Sequence, residues 1–349
     1  ALREGQLLVE GVAAVDLARR FGTPLYVYSS AAMARALASY QSALAGRDHL
    51  LCYAVKANST LAILQWFARR GCGFDIVSGG ELERVLAAGG DPARIVFSGV
   101  GKTRAEMARA LAVDVRCFNV ESVGELEVLS DVASRSGRRA RVSLRVNPDV
   151  DPKTHPYIST GLRGNKFGIA HEDAPAAFAR AARLPGIEVT GIDCHIGSQI
   201  VDAGPYIDAI DRLLDLVERV EAEGVPLAHI DVGGGLGITY RDETPPDAGA
   251  LIARLLTRID KRGHGHRKLM FERLLRDAEV EPPAAPPPPP PLPASPDKTS
   301  DGGTAAALDQ AEFAVLAKAF EAQHQLVERQ GLGSRRLGVA IKEQPLEGQ

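Results

Sequence analysis

Eight short apolar runs, separated by stretches of helical character, constrain this chain more than any other feature. They are "LLCYAV" (50–55), "GFDIV" (73–77), "RIVFS" (94–98), "VRCFNV" (115–120), "ARVSLRVN" (140–147), "EVTGIDCHI" (188–196), "LAHIDVG" (227–233) and "RKLMFE" (267–272). Runs this continuously apolar are typical of strands covered on both faces by helices. Helical patterns fill the gaps, including "LAILQWFARRG", "GELERVLAAGG", "SVGELEVLSDVASRSG" and "PYIDAIDRLLDLVERVEAEG". Several end in glycine, a common helix stop. One more, "SAAMARALASYQSALAG", precedes the first strand. Eight such units predict an α/β fold, a (β/α)8 barrel of the TIM type. A doubly wound open sheet is the alternative, because spacing alone does not show closure.

In either fold the chemistry sits at the carboxyl ends of the strands. Sorting polar residues by that rule selects a small set. Lys56 directly follows strand one, Asp75 lies in strand two, and Asn119 is near the end of strand four. Arg145 is in strand five, His195 near the end of strand six, and Glu272 ends strand eight. Between strand seven and its helix sits "DVGGGLG", 231–237. Each has an ordinary explanation: Lys56 as a solvated strand end, His195 as a satisfied core histidine, Arg145 as half of an internal ion pair. "GGGLG" also lacks the GxGxxG spacing of a dinucleotide site.

Together they describe one chemistry. A lysine amine can form an imine with an aldehyde, and glycine amides can approach a phosphate closely. A carboxylate can keep a pyridine nitrogen protonated, and an imidazole can lie against a ring. Pyridoxal 5'-phosphate would use all four. No metal site is expected. "GHGHR" (263–267) reads as a polar loop, and Cys52, Cys72, Cys117 and Cys194 form no CxxC and read as reduced thiols. The net charge of −3 gives no support for nucleic acid or a membrane as partner. The start "ALREGQLLVEG" has no apolar signal core, so a cytoplasmic protein is expected.

"YAVKAN", "FDIVSGGELE", "HPYISTGLRGNKFGI", "HIGSQI" and "DVGGGLGI" occur in that order. In this the chain resembles the bacterial diaminopimelate decarboxylases, of the alanine-racemase-like (fold-type III) pyridoxal-phosphate enzymes, over about residues 5–272. The resemblance implies decarboxylation of meso-diaminopimelate at its D-centre to L-lysine and CO2, in lysine biosynthesis. It implies that Lys56 bonds the cofactor aldehyde and that His195 stacks on its ring. Ser198, Gly233, Gly234 and Gly235 would bind the phosphate, and Glu272 would contact the pyridine nitrogen. Asp75 and Arg145 would support the lysine and the carboxylates. The substrate would be a small amino acid, and the family forms homodimers. Burial beside cationic groups is expected to lower the Lys56 pKa toward the neutral amine.

The family continues after "FE" with "PGR"; here Glu272 is followed by Arg273, Leu274 and Leu275. The family's C-terminal β domain, with its catalytic cysteine and tyrosine, is not recognisable. No cysteine follows Cys194 and no tyrosine follows Tyr240. The expected organisation is an N-terminal segment (1–30) that in the family joins the β domain, then the cofactor barrel (31–272). A proline-rich linker (273–303) and a tail with one amphipathic helix (304–349) follow. Three readings stay open here: a decarboxylase with slow or absent turnover, a non-catalytic barrel that binds cofactor or a partner, and a racemase-like activity that deprotonates Cα.

Overall fold

Parallel pairing all the way round decides between the closed barrel and the open sheet. A computed structural model describes residues 2–3, 5–151, 167–239 and 242–273. Its barrel strands are β1 (His49–Ala54), β2 (Gly73–Ile76), β3 (Ile95–Phe97), β4 (Cys117–Val120), β5 (Ala140–Asn147), β6 (Ile187–Asp193), β7 (His229–Asp231) and β8 (Lys268–Arg273). Each pairs in parallel with its neighbour in sequence. β8 then pairs with β1, Met270 opposite Leu50 and Phe271 opposite Leu51, and the ring closes. Closure abolishes the open edges that a flat sheet would present.

The helices are α1 (Leu61–Ala68), α2 (Gly79–Ala87), α3 (Arg104–Val113), α4 (Val123–Arg135), α5 (Ala174–Ala181), α6 (Gly204–Ala222) and α7 (Ala248–Lys261). Several begin on side chains that accept the first free amides. Ser78 accepts from Glu81 N–H, Ser122 from Glu125 N–H and Asp247 from Ala250 N–H; Thr103 and Glu106 form a reciprocal capping box. The eighth helical position is filled by Ser30–Ala43, which comes before β1 in the chain. Its Met33 and Leu37 are buried. Its Tyr40 lines an apolar pocket with Leu251 and Leu255 of α7 and Phe271 of β8.

β5 shows how an apolar run can carry functional residues. Val142, Leu144 and Val146 share one face; Ser143, Arg145 and Asn147 share the other, and all six are buried. Five strands end earlier than the sequence predicts, β1, β2, β3, β6 and β7. β1 stops at Ala54, and Val55–Ala57 forms one turn of 3-10 helix. β6 stops at Asp193, and β7 stops at Asp231, ahead of Gly233 and Gly235, which take φ of +70° and +89° and turn the chain out of the ladder.

Residues 5–30 are described by themselves. Gln6–Val9 pairs antiparallel with Leu2–Arg3 and with Val12–Ala13, and the helix Ala14–Phe21 follows. The linker and tail expected after residue 273, and most of "HPYISTGLRGNKFGI", lie outside the described residues. Among the described residues no helix is long and apolar enough to cross a membrane.

Candidate functional site

The 3-10 turn after β1 places Lys56 at the carboxyl end of the barrel. Its side chain is open to solvent, and among the described residues no hydrogen bond or ion pair holds its amine. The charges around it contradict the expected depression of its pKa. Partial desolvation by the surrounding protein lowers it, as does the charge of Arg145, but Glu272, Asp75 and Glu81 outweigh both, and the pKa is raised. The acids around the lysine outnumber the cations, a balance that depends on the folded arrangement.

Arg145 is itself committed. Its Nη1 donates to Glu121 Oε1 at 3.1 Å, its Nη2 to the His195 carbonyl at 3.4 Å, and its guanidinium lies 5.2 Å from the Phe167 ring centroid. Arg145, Asp193 and Asp231 are register partners on β5, β6 and β7, so they form one layer inside the mouth.

Glu272, at the end of β8, reaches His195 with Oε2 3.4 Å from Nδ1. The Gly234 amide faces the same nitrogen at 3.3 Å. Nδ1 thus stands between a donor and an acceptor, and the proton on it decides which contact is the hydrogen bond. Burial lowers the His195 pKa despite the opposing pull of Glu272. Burial raises that of Glu272, but the hydrogen bond and charge of His195 and the charges of Lys56 and Arg145 prevail and hold it to about 2. A neutral His195 leaves Lys56 and Arg145 to keep Glu272 ionised.

Other carboxyls near the site are pushed upward. Asp75 is buried with Oδ1 unpartnered, and burial, then the charge of Glu272, raises it well above the usual range. Asp193, Asp231 and Glu272 bring carboxylate oxygens within 4.8 Å of one another. Burial and Glu272 push Asp231 up to about 7; burial and Asp231 raise Asp193 well above its usual value. The strand-end rule does not select Glu121 or Asp193, although both stand at strand carboxyl ends, and it takes Asp231 only as the first residue of "DVGGGLG". Asp193 lies inside a run that reads as strand.

The glycine loop packs against the loop that follows β6. A Cβ on Gly233 would lie 2.2 Å from the Cys194 carbonyl oxygen, and one on Gly235 1.9 Å from that of Gly197. Only glycine permits this approach. The two loops are then tied together: Ile200 N–H donates to Gly235 O at 2.9 Å, Gly237 N–H to Ile200 O at 3.0 Å, and Ile238 N–H to Gln199 Oε1 at 2.9 Å. Ser198 lies in the same loop, half-buried.

The sequence-predicted residues therefore converge on one mouth, fed by β1, β2, β5, β6, β7 and β8. The donor set fits pyridoxal 5'-phosphate on three observations. Lys56 offers an untethered amine, the Gly235 amide has no acceptor among the described residues, and the Glu272 carboxylate stands beside His195 at the same mouth. His264 of "GHGHR" stands between an arginine and a glutamate. Arg267 Nε donates to His264 Nδ1 at 3.1 Å, and His264 Nε2 lies 3.4 Å from Glu218.

Comparison with known proteins gives the same picture. Residues 30–273 match the family model described as pyridoxal-dependent decarboxylase, pyridoxal binding domain. The diaminopimelate decarboxylase of Pseudomonas aeruginosa is 60% identical over 260 residues, 74% of this chain and 63% of that protein. That of Vibrio cholerae is 56% identical over 269 residues, 77% of this chain and 64% of that one. The chain thus spans just under two thirds of the length of these curated relatives. Among solved structures, diaminopimelate decarboxylase from Helicobacter pylori complexed with L-lysine superposes with a TM-score of 0.71 at 39% identity, covering 74% of this chain and 65% of that one. The M. jannaschii enzyme, also with L-lysine, gives 0.72 at 36% identity, covering 78% and 65%.

Proposed function

The chain belongs to the pyridoxal-dependent decarboxylases, and from that premise we propose that it removes CO2 from meso-diaminopimelate to give L-lysine, with pyridoxal 5'-phosphate as cofactor. The observation that carries the proposal is the untethered Lys56 amine beside Glu272, Asp75 and Arg145. Relatives at 56–60% identity bear the name diaminopimelate decarboxylase, and two structural neighbours hold L-lysine, the product of this reaction.

When bound, the cofactor supplies an electron sink for the pair left as the bond from Cα to the carboxylate breaks. The residues of this chain do the rest. Lys56 would bond the aldehyde, and it must shed a proton first because neighbouring acids favour its charged form. Glu272, held ionised, would keep a proton on the ring nitrogen. His195 would lie against the ring, in its neutral form above its lowered pKa. The Gly233–Gly235 loop and Ser198 would bind the phosphate. Asp75 and Arg145 would set the field around the amine, Arg145 through a guanidinium already fixed by Glu121.

The test uses the full chain with added pyridoxal 5'-phosphate. We expect a visible absorption band, a borohydride-stable adduct on the Lys56 peptide by mass spectrometry, and L-lysine and CO2 from meso-diaminopimelate. Lys56→Ala abolishes all three. A folded wild-type chain that forms no Lys56-dependent adduct, or product release undiminished in Lys56→Ala, refutes the proposal.

A further inference from the structure

The backbone groups of the glycine loop can be accounted for one by one. Buried donors and acceptors are almost always paired, so a leftover group points to a ligand. Gly233 N–H donates to Asp231 Oδ1 at 3.0 Å, and Gly233 O accepts from Glu272 N–H at 2.9 Å. Gly234 N–H faces His195 Nδ1 at 3.3 Å, and Gly234 O accepts from the Tyr206 phenol at 2.9 Å. Gly235 O accepts from Ile200 N–H at 2.9 Å. What remains is the Gly235 N–H. Gly235 is buried, yet its amide donates to nothing among the described residues.

The Gly235 N–H belongs to the same peptide plane as the Gly234 carbonyl. In a planar trans peptide these two groups point in opposite directions, so whatever fixes the carbonyl aims the amide. The carbonyl is held by Tyr206, which enters from the first turn of α6. Behind it lies the apolar pocket lined by Tyr40, Tyr206, Gly234, Leu251, Leu255 and Phe271. Tyr40 and Glu272 also line that pocket, and Tyr206 is the side chain whose hydroxyl reaches the Gly234 carbonyl.

We infer that Tyr206 is a positioning residue for the cofactor phosphate: its hydroxyl locks the Gly234–Gly235 peptide so that the Gly235 N–H is presented to the phosphate. The inference rests on the glycine loop being the phosphate site, as proposed above. Tyr206 would act through this peptide and not on the cofactor directly. Burial raises the phenol well above its usual pKa, so it stays a donor across the working range.

The experiment compares two ligands in the full chain, pyridoxal 5'-phosphate and pyridoxal, which lacks the phosphate. Both are titrated by the Lys56-dependent absorption band. In the wild type the phosphorylated form binds more tightly. In Tyr206→Phe, which fills the same space, that preference falls about tenfold, the scale of one well-placed hydrogen bond, while pyridoxal affinity stays unchanged. A preserved preference overturns the inference. So does a parallel weakening of both ligands, which would mark Tyr206 as merely structural. A wild type with no preference for the phosphorylated form defeats the phosphate reading of the loop itself, and the inference with it. Amide exchange in the wild type gives a check that needs no variant. Pyridoxal 5'-phosphate, and not pyridoxal, slows exchange at Gly235; exchange that is not slowed overturns the assignment.

Discussion

Asp231 has a folded-state pKa of about 7, because burial and the charge of Glu272 both favour its protonated form. An unfolded aspartate titrates near 4, at about 3.9. Between roughly pH 4 and pH 7 the folded chain therefore holds a proton that the unfolded chain has released, and stability rises as pH falls through that window. Asp231→Asn keeps an oxygen to accept from Gly233 N–H and removes the titration. Thermal unfolding of the cofactor-free variant should gain less than the wild type between pH 7.5 and pH 5; parallel curves would sink the assignment. Lys56 teaches the complementary lesson. Its place after β1 is legible in "YAVKAN", but its charge balance is not. That balance depends on Glu272 and Asp75 arriving from other strands, and nothing in the local sequence says that the acids will outnumber the cations.

At the scale of elements, the strand-end rule selects residues that meet at one mouth, Lys56, Asp75, Arg145, His195 and Glu272, because strand spacing and carboxyl-end chemistry are both written in short segments. It missed Glu121, which works through a chain of contacts between elements. Lys102, after β3, has a fully buried side chain; its Nζ donates to Gly99 O at 2.7 Å, Asn119 O at 2.8 Å and Glu125 Oε1 at 2.7 Å. Glu125 Oε2 in turn accepts from Glu121 N–H at 3.0 Å, and Glu121 holds Arg145. The loop after β3, the end of β4 and the start of α4 are thereby fastened together beneath the site. Lys102→Met strands a buried carboxylate and two carbonyls, so a loss of about 3 to 5 kcal/mol is expected in urea unfolding. A cost under about 1 kcal/mol, the range of exposed ion pairs, would show that the ammonium is not structural.

Over the whole molecule, the eightfold alternation was readable but the closing partner of the helical ring was less obvious. The helix Ser30–Ala43 lies ahead of the first strand in sequence and beside α7 in space. Leu37, 3% exposed, should therefore behave as a barrel core residue, with Leu37→Ala costing roughly 2 to 5 kcal/mol. Leu7→Ala, at 44% exposure in the N-terminal ribbon, should cost under about 0.5 kcal/mol. Equal urea midpoints for the two variants would contradict this placement. The pairing of β8 with β1 has a kinetic consequence. Residues more than 200 positions apart must meet before the last ladder forms, a long-range step that topology makes slow. Until then β1 and β7 present unpaired parallel edges, the part of the folding reaction most exposed to aggregation. The strand that ends this vulnerable interval also delivers Glu272. A half-assembled chain therefore lacks the carboxylate partner of His195, and cofactor capture doubles as a report that the chain has finished folding.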